Sequence, residues 1–238
     1  MFVPTKAIVL RSFRYSEADL IAKCYTASDG LKSYMLRGIL KSKKGKLKAA
    51  MFQPFSQLEI LARHKNKGTL EYLKEAKNTA INPSIRGNVQ KTSIALFLAE
   101  VIQNAIQEEE KNESIYNFLE TSIEWLEHHE KFANFHLLFL VKFTRHLGIY
   151  PHKTEVNNFF NLEQGHFEAE ETDRYSIGGK SCKILLRLLD TDYDGLHQLR
   201  LNQVQRQDFL GFMISYYQIQ LPGFRQPQSL EVLNQLFS

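Results

Sequence analysis

The chain is poor in cysteine, proline and long apolar runs, and each shortage excludes a class of protein. Its 238 residues include two cysteines and six prolines, and 43% of the residues are hydrophobic, which is enough for ordinary cores. Cys24 and Cys182 lie far apart, so they supply neither a disulfide framework nor a four-thiolate zinc site. No apolar run approaches the roughly 20 residues of a membrane span, and residues 1–6 lack the layout of a signal peptide. We therefore expect a soluble cytoplasmic protein with no membrane partner.

The charges are divided unevenly along the chain. Residues 1–80 carry 16 Lys and Arg against 6 Asp and Glu, whereas residues 81–238 carry 14 against 20. This asymmetry predicts a basic module that meets a polyanion, joined to an acidic module with another task. The alternative is ordinary solubility charge that happens to segregate, and the charges alone leave both interpretations open.

The first 80 residues predict a small β-barrel. Short runs rich in apolar and β-branched residues are separated by turn residues such as Asp29-Gly30. The predicted strands span residues 6–11, 20–26, 31–37, 55–61 and 69–73. Five short strands in 80 residues indicate a closed or partly open barrel, so the predicted fold class is α+β.

Beyond Asn82-Pro83 the apolar period changes to about 3.6, which predicts a domain boundary after residue 80 and a helical domain over residues 81–238. The polar, glycine-containing residues 152–181 predict an insertion between the helices. Five helices are expected, over residues 94–106, 114–125, 132–147, 203–220 and 230–237. Ser114 is the predicted N-cap of the second of them.

A lysine-rich loop is the densest signal in the chain. Residues 41–48 hold five lysines between two predicted strands: Lys41, Lys43, Lys44, Lys46 and Lys48. Lysine neutralises phosphate without fixed geometry, so such a loop can follow a nucleic-acid backbone of any sequence. The alternative is a solvated surface loop.

Further cations and aromatic residues surround this loop in sequence. Phe13, Tyr15, Tyr25 and Tyr34 are interleaved with the cations, a combination that sequence-independent single-strand binding uses to stack bases. Strand alternation places Lys23 and Tyr25 on one side, and we expect this pair, rather than Phe13, to lie at the surface. The remaining basic candidates for DNA binding are Arg11, Arg14, Lys32, Arg37, Arg63, Lys65 and Lys67.

Tests for enzyme motifs fail. Gly45-Lys46 resembles the end of a phosphate-binding loop, but Leu40 and Leu47 stand where Gly and Ser or Thr belong. No Gly-x-Ser-x-Gly elbow occurs, and the acid and histidines at 124, 128 and 129 have no second cluster to complete a metal site. We expect no catalytic residue, no cofactor and no metal. A structural adaptor acting through the acidic helical half, and a nuclease or nucleotidyl enzyme, remain as alternatives.

An ordered set of motifs resembles the RecO recombination-mediator family over nearly the whole chain. Each motif alone has low specificity for the family, and only the order of the whole set is specific. They are Ala7–Leu10, Tyr15–Asp19, Thr26–Leu31, Arg37-Gly38, Gln53–Phe55, Glu71–Ala76, Leu98–Glu100 and Phe135–Leu138 running to Leu147–Pro151.

This resemblance implies a bacterial repair protein of the RecFOR pathway, with an N-terminal OB-fold and a helical domain. Members of the family are expected to bind single- and double-stranded DNA and to anneal complementary strands without nucleotide hydrolysis. The implied partners are RecR, the tail of single-stranded-DNA-binding protein and, indirectly, RecA and RecF. RecA would be loaded onto strands that single-stranded-DNA-binding protein coats, and the implied location is the nucleoid.

The chain departs from the family in residues 152–181, where many members carry a zinc ribbon of two Cys-x-x-Cys pairs. Only Cys182 stands near the place of the second pair. We expect a metal-free remnant that folds as a hairpin around Phe159, Phe160, Leu162 and Phe167.

The resemblance also implies a site for the acidic, hydrophobic tail of single-stranded-DNA-binding protein on the helical domain. Such a tail needs an apolar pocket and a cation for its carboxylate. Lys142 and Arg145 are the candidates, and the alternative is a core helix with ordinary charged flanks.

Overall fold

A computed structural model describes residues 2–41, 47–65, 68–106 and 110–237. The chain divides into two compact units, residues 1–127 and 128–238. The boundary predicted after residue 80 therefore falls within the first unit, because three helices group with the strands that precede them. In the described part of the chain, no helix is both long and apolar enough to cross a membrane.

The first unit is built on a closed barrel of five strands in the order β1-β2-β3-β5-β4, the architecture of an OB-fold. All pairings are antiparallel except that between β3 and β5. The expected barrel is confirmed, with longer first and fifth strands than predicted. The strands are β1 Val3–Arg14, β2 Leu20–Thr26, β3 Gly30–Leu36, β4 Gln57–Arg63 and β5 Glu71–Asn78.

A bulge in β1 lets one strand close the barrel. The register with β2 shifts between Val9 and Arg11, and β1 pairs with β4 over residues 3–8 and with β2 over residues 7–14. A bulge bends its strand and increases the local twist, as a small barrel requires. Alternate residues, including Val9, Ala22, Tyr34 and Ile60, fill the interior.

Three helices complete the first unit, and two asparagines begin the longer ones. They are α1 Pro83–Gly87, α2 Val89–Ala105 and α3 Glu113–His128. The side chain of Asn88 accepts from the amides of Gln90 and Lys91, and Asn112 Oδ1 accepts from the Ile115 amide at 3.1 Å. The predicted N-cap at Ser114 is therefore wrong, because Asn112 provides the acceptor and Ser114 is already helical.

A buried polar cluster joins α1 to the end of α3. The Glu127 carboxylate accepts from the amides of Ser84 and Ile85 at 2.8 and 2.9 Å, which satisfies free donors in the first turn of α1. The buried Lys91 ammonium donates to the Glu127 carbonyl and to Ser84 Oγ. These bonds give the buried charges defined partners.

The second unit combines four helices with a small antiparallel sheet of order β7-β6-β8. An Asn202–Gln205 capping box begins the longest helix. The elements are α4 Phe135–His146, β6 Phe159–Asn161, β7 His166–Glu168, β8 Ser176–Gly178, α5 Gly179–Leu189, α6 Gln203–Gln220 and α7 Leu230–Leu236.

The insertion contains the expected hairpin and a third strand, β8, that was not predicted. Phe160 is fully buried against the rings of Phe167, Phe212 and Tyr216. The Cys182 thiol is also buried and lies 3.8 Å from the Asn157 carbonyl. Among the described residues no three His, Cys, Asp or Glu side chains are placed to hold a metal ion.

Candidate nucleic-acid interface

Two predicted DNA-binding residues of β3 lie inside the barrel. Lys32 is 3% exposed and Tyr34 is fully buried, on the strand face that also carries Leu36. Burial contradicts the prediction of Tyr34 and Lys32 as DNA-binding residues. A ring enclosed by core side chains offers no face to a base.

Tyr34 belongs to a chain of polar contacts. Its hydroxyl lies 2.7 Å from His64 Nε2, and His64 Nδ1 lies 2.7 Å from the Asp29 carboxylate. His64 follows β4, whereas Asp29 lies in the β2–β3 turn. Burial raises the pKa of the Tyr34 hydroxyl far above its usual value, so the neutral phenol is held in place as a structural group.

Tyr25 faces outward as alternation requires, yet it is only 1% exposed. Its hydroxyl lies 3.5 Å from the Asn112 carbonyl, and burial raises the pKa of Tyr25 to about 12. The expectation that Tyr25 lies at the surface is therefore wrong. Residues 110–112 cover the turn end of the β2–β3 hairpin, which in other OB-folds belongs to the ligand-binding face.

The opposite end of the hairpin is open and cationic. Arg11 on β1 is directly opposite Lys23 on β2, and both side chains point outward. Phe13, two residues beyond Arg11, is 42% exposed, and the Arg11 guanidinium lies 5.5 Å from its ring centre. Phe13 thus takes the exposed place that was predicted for Tyr25. The two cations concentrate positive charge on this part of the outer face.

Two loops are joined at this end of the barrel. The Asp19 carboxylate accepts from the Gly38 amide at 2.7 Å and from the Ser16 hydroxyl at 2.9 Å. These hydrogen bonds lower the pKa of Asp19, and the charges of Arg37 and Lys41 lower it further. Lys41 also pairs with Glu17 at 3.1 Å on the surface. The joined loops bring residues that are distant in sequence to one place.

We call Arg11, Phe13, Arg14, Lys23, Arg37 and Lys41 the basic end of the barrel. Lys48 is exposed next to Leu47, which packs against the barrel core. The other predicted lysines, Lys43, Lys44, Lys46 and Lys67, lie outside the described residues. The structure therefore assembles part of the predicted basic surface from three separate stretches of sequence.

A second exposed cluster lies where β4 and β5 meet the N-terminus, and the sequence arguments missed most of it. Tyr72 is 55% exposed and packs edge-to-face against Phe2, with ring centres 6.1 Å apart. The predicted Arg63 lies over the Phe2 ring at 5.0 Å, and Lys74 at 5.3 Å. Lys65 is exposed nearby in sequence. Tyr72 could have been proposed as a stacking residue because it is aromatic, but its contacts with Phe2, Arg63 and Lys74 could not be read from the sequence.

Strand registry connects the two clusters on the outer face. Phe13 is opposite Ile21, Ile21 is opposite Met35, and Met35 is opposite Tyr72 in the parallel pair that closes the barrel. Opposed residues in a sheet share a face, so these four side chains form one row, here called the outer row. Nothing local in the sequence specifies the β3–β5 pairing on which the row depends.

In the second unit the two predicted tail-binding residues differ in setting. The half-buried Lys142 ammonium lies 3.4 Å from the Leu189 carbonyl at the end of α5. Burial lowers the pKa of Lys142, and the charge of Arg145 adds to that effect. Arg145 is exposed, and its guanidinium lies 4.5 Å from the centre of the Tyr150 ring.

Fold and surface together define a basic OB-fold barrel followed by a helical domain. A family model described as Recombination protein O N terminal matches residues 1–81, and one described as Recombination protein O C terminal matches residues 86–229. The chain belongs to the RecO family of DNA repair proteins, which confirms the resemblance seen in the motifs.

Named relatives match over the full length of both chains. The chain is 48% identical to DNA repair protein RecO of Christiangramia forsetii and 43% identical to that of Flavobacterium psychrophilum. It is 34% identical to DNA repair protein RecO of Bacteroides fragilis.

Proposed function

We propose that this chain is a recombination mediator that binds single- and double-stranded DNA, anneals complementary strands and has no catalytic activity of its own. The observation that carries the proposal is the basic end of the barrel, where Arg11 lies beside the exposed Phe13 and further cations come from β2 and the segment after β3. Membership in the RecO family makes DNA the expected polyanion.

The opposed pair of Arg11 and Lys23 supplies the electrostatic part of this function. Cations at the surface neutralise DNA phosphates and release condensed counterions from the DNA. Annealing also requires two phosphate backbones to approach each other, and a fixed cationic surface reduces their mutual repulsion. Because backbone contacts leave the base edges free, the bound strands can still pair.

Phe13 supplies a contact that a duplex cannot use. An exposed aromatic face stacks on unpaired bases, and such stacking tolerates any base sequence. The adjacent Arg11 guanidinium places a cation beside the stacked base, near the phosphate that follows it. The basic end therefore combines phosphate neutralisation, which serves both DNA forms, with one contact specific to single strands.

The partner contacts belong to the same proposal. The chain is proposed to act with RecR, to receive the tail of single-stranded-DNA-binding protein and to promote RecA loading on coated strands, with RecF as a further partner near the nucleoid. Of the two tail-binding candidates, Arg145 is the better one. The carboxylates of Asp190 and Asp192 lie close enough to Lys142 to raise its pKa, and they would repel an acidic tail.

The test is a salt series with fluorescent single-stranded and duplex oligonucleotides. In the Arg11→Gln/Arg14→Gln variant, the slope of log affinity against log salt should become shallower for each phosphate that is no longer neutralised, by about 0.7 on single strands and about 0.9 on duplex. The matched control is Lys180→Gln/Lys183→Gln, which removes two exposed cations of α5 in the second unit.

The control variant should retain wild-type slopes on both forms of DNA. Equal slopes for all three proteins, or no binding by the wild type, would contradict the proposal. That result would favour the structural adaptor, in which the acidic helical half carries the function.

A further inference from the structure

We propose that Phe2 and Tyr72, with Arg63 and Lys74, form a second subsite that stacks an unpaired base, so that a bound single strand crosses the barrel from Phe13 to Tyr72. The inference deepens the proposed DNA-binding function and rests on it. It adds a site at the far end of the outer row and assigns that site to single-stranded nucleic acid.

The exposure of Tyr72 is the first observation. More than half of this large ring is open to solvent although it lies within a barrel strand, and Phe2 packs against it edge-to-face. The edge-to-face contact orients the tyrosine ring without the flexibility of a lone surface side chain. A fixed, exposed aromatic face is what stacking on a base requires.

The cations around Phe2 are the second observation. Arg63 and Lys74 both lie near the same ring, at 5.0 and 5.3 Å from its centre. Each is attracted by the ring. Lys74 also lies 3.9 Å from the Glu75 carboxylate, and Arg63, Lys74 and Glu75 together keep a net positive charge, which favours an anionic ligand over a cationic or neutral one. The charge pattern therefore selects a polyanion that carries aromatic groups, which describes a nucleic acid.

The geometry of the outer row is the third observation. Three strand spacings of about 4.8 Å separate Phe13 from Tyr72 along the curved wall of the closed barrel. Ile21, which is 8% exposed, and the half-buried Met35 are the apolar residues between them. A single strand laid along this row meets an aromatic ring and cations at each end. A duplex has its base faces already stacked and offers nothing to either ring.

The experiment measures binding of a single strand of about 16 nucleotides, the upper site size of one OB-fold, and of a matched duplex. Stacking is followed separately with 2-aminopurine in the single strand. Tyr72→Ala should weaken single-strand binding by about fivefold to 100-fold and abolish the 2-aminopurine quenching assigned to this ring, with duplex affinity unchanged. Tyr72→Phe should retain wild-type behaviour, because it keeps the ring.

Two further variants separate stacking from other effects. Tyr72→Leu keeps an apolar strand residue and should show the same loss as Tyr72→Ala, which excludes unfolding of β5 as the cause. Tyr175→Ala is the matched control, because Arg174 lies 4.7 Å from that ring in the second unit, and it should bind as the wild type does.

The outcomes distinguish this inference from the proposed function. If the wild type binds single strands but Tyr72→Ala binds them equally well, the second subsite is wrong and the basic end remains. Equal losses on single strands and duplex would also overturn it, since the ring would not be contacting unpaired bases. If the wild type binds no DNA, the proposed function fails and this inference fails with it.

Discussion

The carbonyl oxygen of Glu110 lies against Gly30 so closely that a Cβ atom on that glycine would be 2.3 Å from it. Gly30 also has φ of +65°, in the left-handed region that side chains disfavour. This contact is the point at which the segment before α3 closes over the β2–β3 turn. It explains why that end of the hairpin is covered while the other end is open to solvent.

The first prediction concerns this contact. Gly30→Ala should lower the free energy of unfolding by about 2–5 kcal/mol, because backbone strain adds to the clash. Gly38→Ala is the matched control, since Gly38 has φ of +68° and nothing within 4 Å of its Cβ position. The control should lower it by only about 1–2 kcal/mol, the cost of the strain alone. Urea denaturation measures both, and equal effects would show that the clash is relieved without cost.

The second prediction separates a core tyrosine from an exposed phenylalanine. Tyr34→Phe should cost about 1–3 kcal/mol of stability, because it leaves the buried His64 Nε2 without its hydroxyl partner, and DNA affinity should not change. Phe13→Ala should show the reverse pattern, with single-strand affinity lowered by about fivefold to 100-fold and stability retained. Loss of DNA binding in a folded Tyr34→Phe protein would contradict the structural role.

The third prediction concerns the lysine-rich loop. Replacing Lys43, Lys44, Lys46 and Lys48 together with alanine should reduce DNA affinity and annealing strongly while the fold stays intact. The slope of log affinity against log salt on single strands should become shallower by about 0.7 for each phosphate that the variant no longer neutralises. Circular dichroism checks the fold. Unchanged annealing would show that the loop is only a solvated surface segment.

The fourth prediction concerns pH. Burial lowers the pKa of His136 to about 3, and the charge of Arg206 contributes. Between this value and the usual pKa of about 6.5, the unfolded chain binds a proton that the folded chain does not. Stability should therefore decrease as pH falls below about 6.5, by up to about 1.4 kcal/mol per pH unit from this group.

His136→Gln removes the titrating group and serves as the comparison. Urea denaturation at about pH 7.5 and about pH 5.5 should show a smaller loss of stability on acidification in the variant than in the wild type. The Phe237 ring, 5.5 Å from the imidazole, remains in both proteins. Identical pH dependence would mean that His136 becomes protonated in the folded state.

The fifth prediction tests the proposed tail site. Arg145→Ala should weaken binding of an acidic peptide with a C-terminal aromatic residue by about two- to fivefold, since an exposed ion pair contributes up to about 1 kcal/mol. Arg174→Ala also removes an arginine from a tyrosine ring and serves as the control. Fluorescence anisotropy measures the peptide affinity of both variants. Equal affinities would show that the tail does not bind at Arg145.

Much of both units could be predicted from the sequence, because strands and helices leave periodic patterns. The five strands and the apolar period of α2 and α4 were confirmed. The short helix α1, strand β8 and helix α5 were not predicted. In α1 and β8 the segments are too short to show a period. Helix α5 does carry a regular apolar stripe at Cys182, Leu185 and Leu188, so it could have been predicted from the sequence.

The candidate site was predicted less completely. The basic composition of residues 1–80 indicated the surface, and Arg11, Arg14, Arg37 and Lys41 proved to be exposed at one end of the barrel. Tyr72 and Phe2 were missed because their contact depends on strands that are distant in sequence. Tyr25 was placed at the surface because alternation does not show what covers a strand. Tyr34 and Lys32 share the inward face of β3 with Leu36, and alternation along that strand could have excluded them from the surface.

The sequence by itself determined the strands, their turns and the side of the sheet on which each residue lies, because all three follow from local backbone preference and a period of two. Tyr25 faces outward on that basis, whereas a period of two would place Phe13 with the inward-facing Val9, and the bulge in β1 turns it outward. Only the tertiary structure decided that Tyr25 is buried and Phe13 exposed, because residues 110–112 cover one end of the hairpin. The parallel pairing of β3 with β5, which brings Tyr72 into the outer row, likewise depends on closure of the whole barrel.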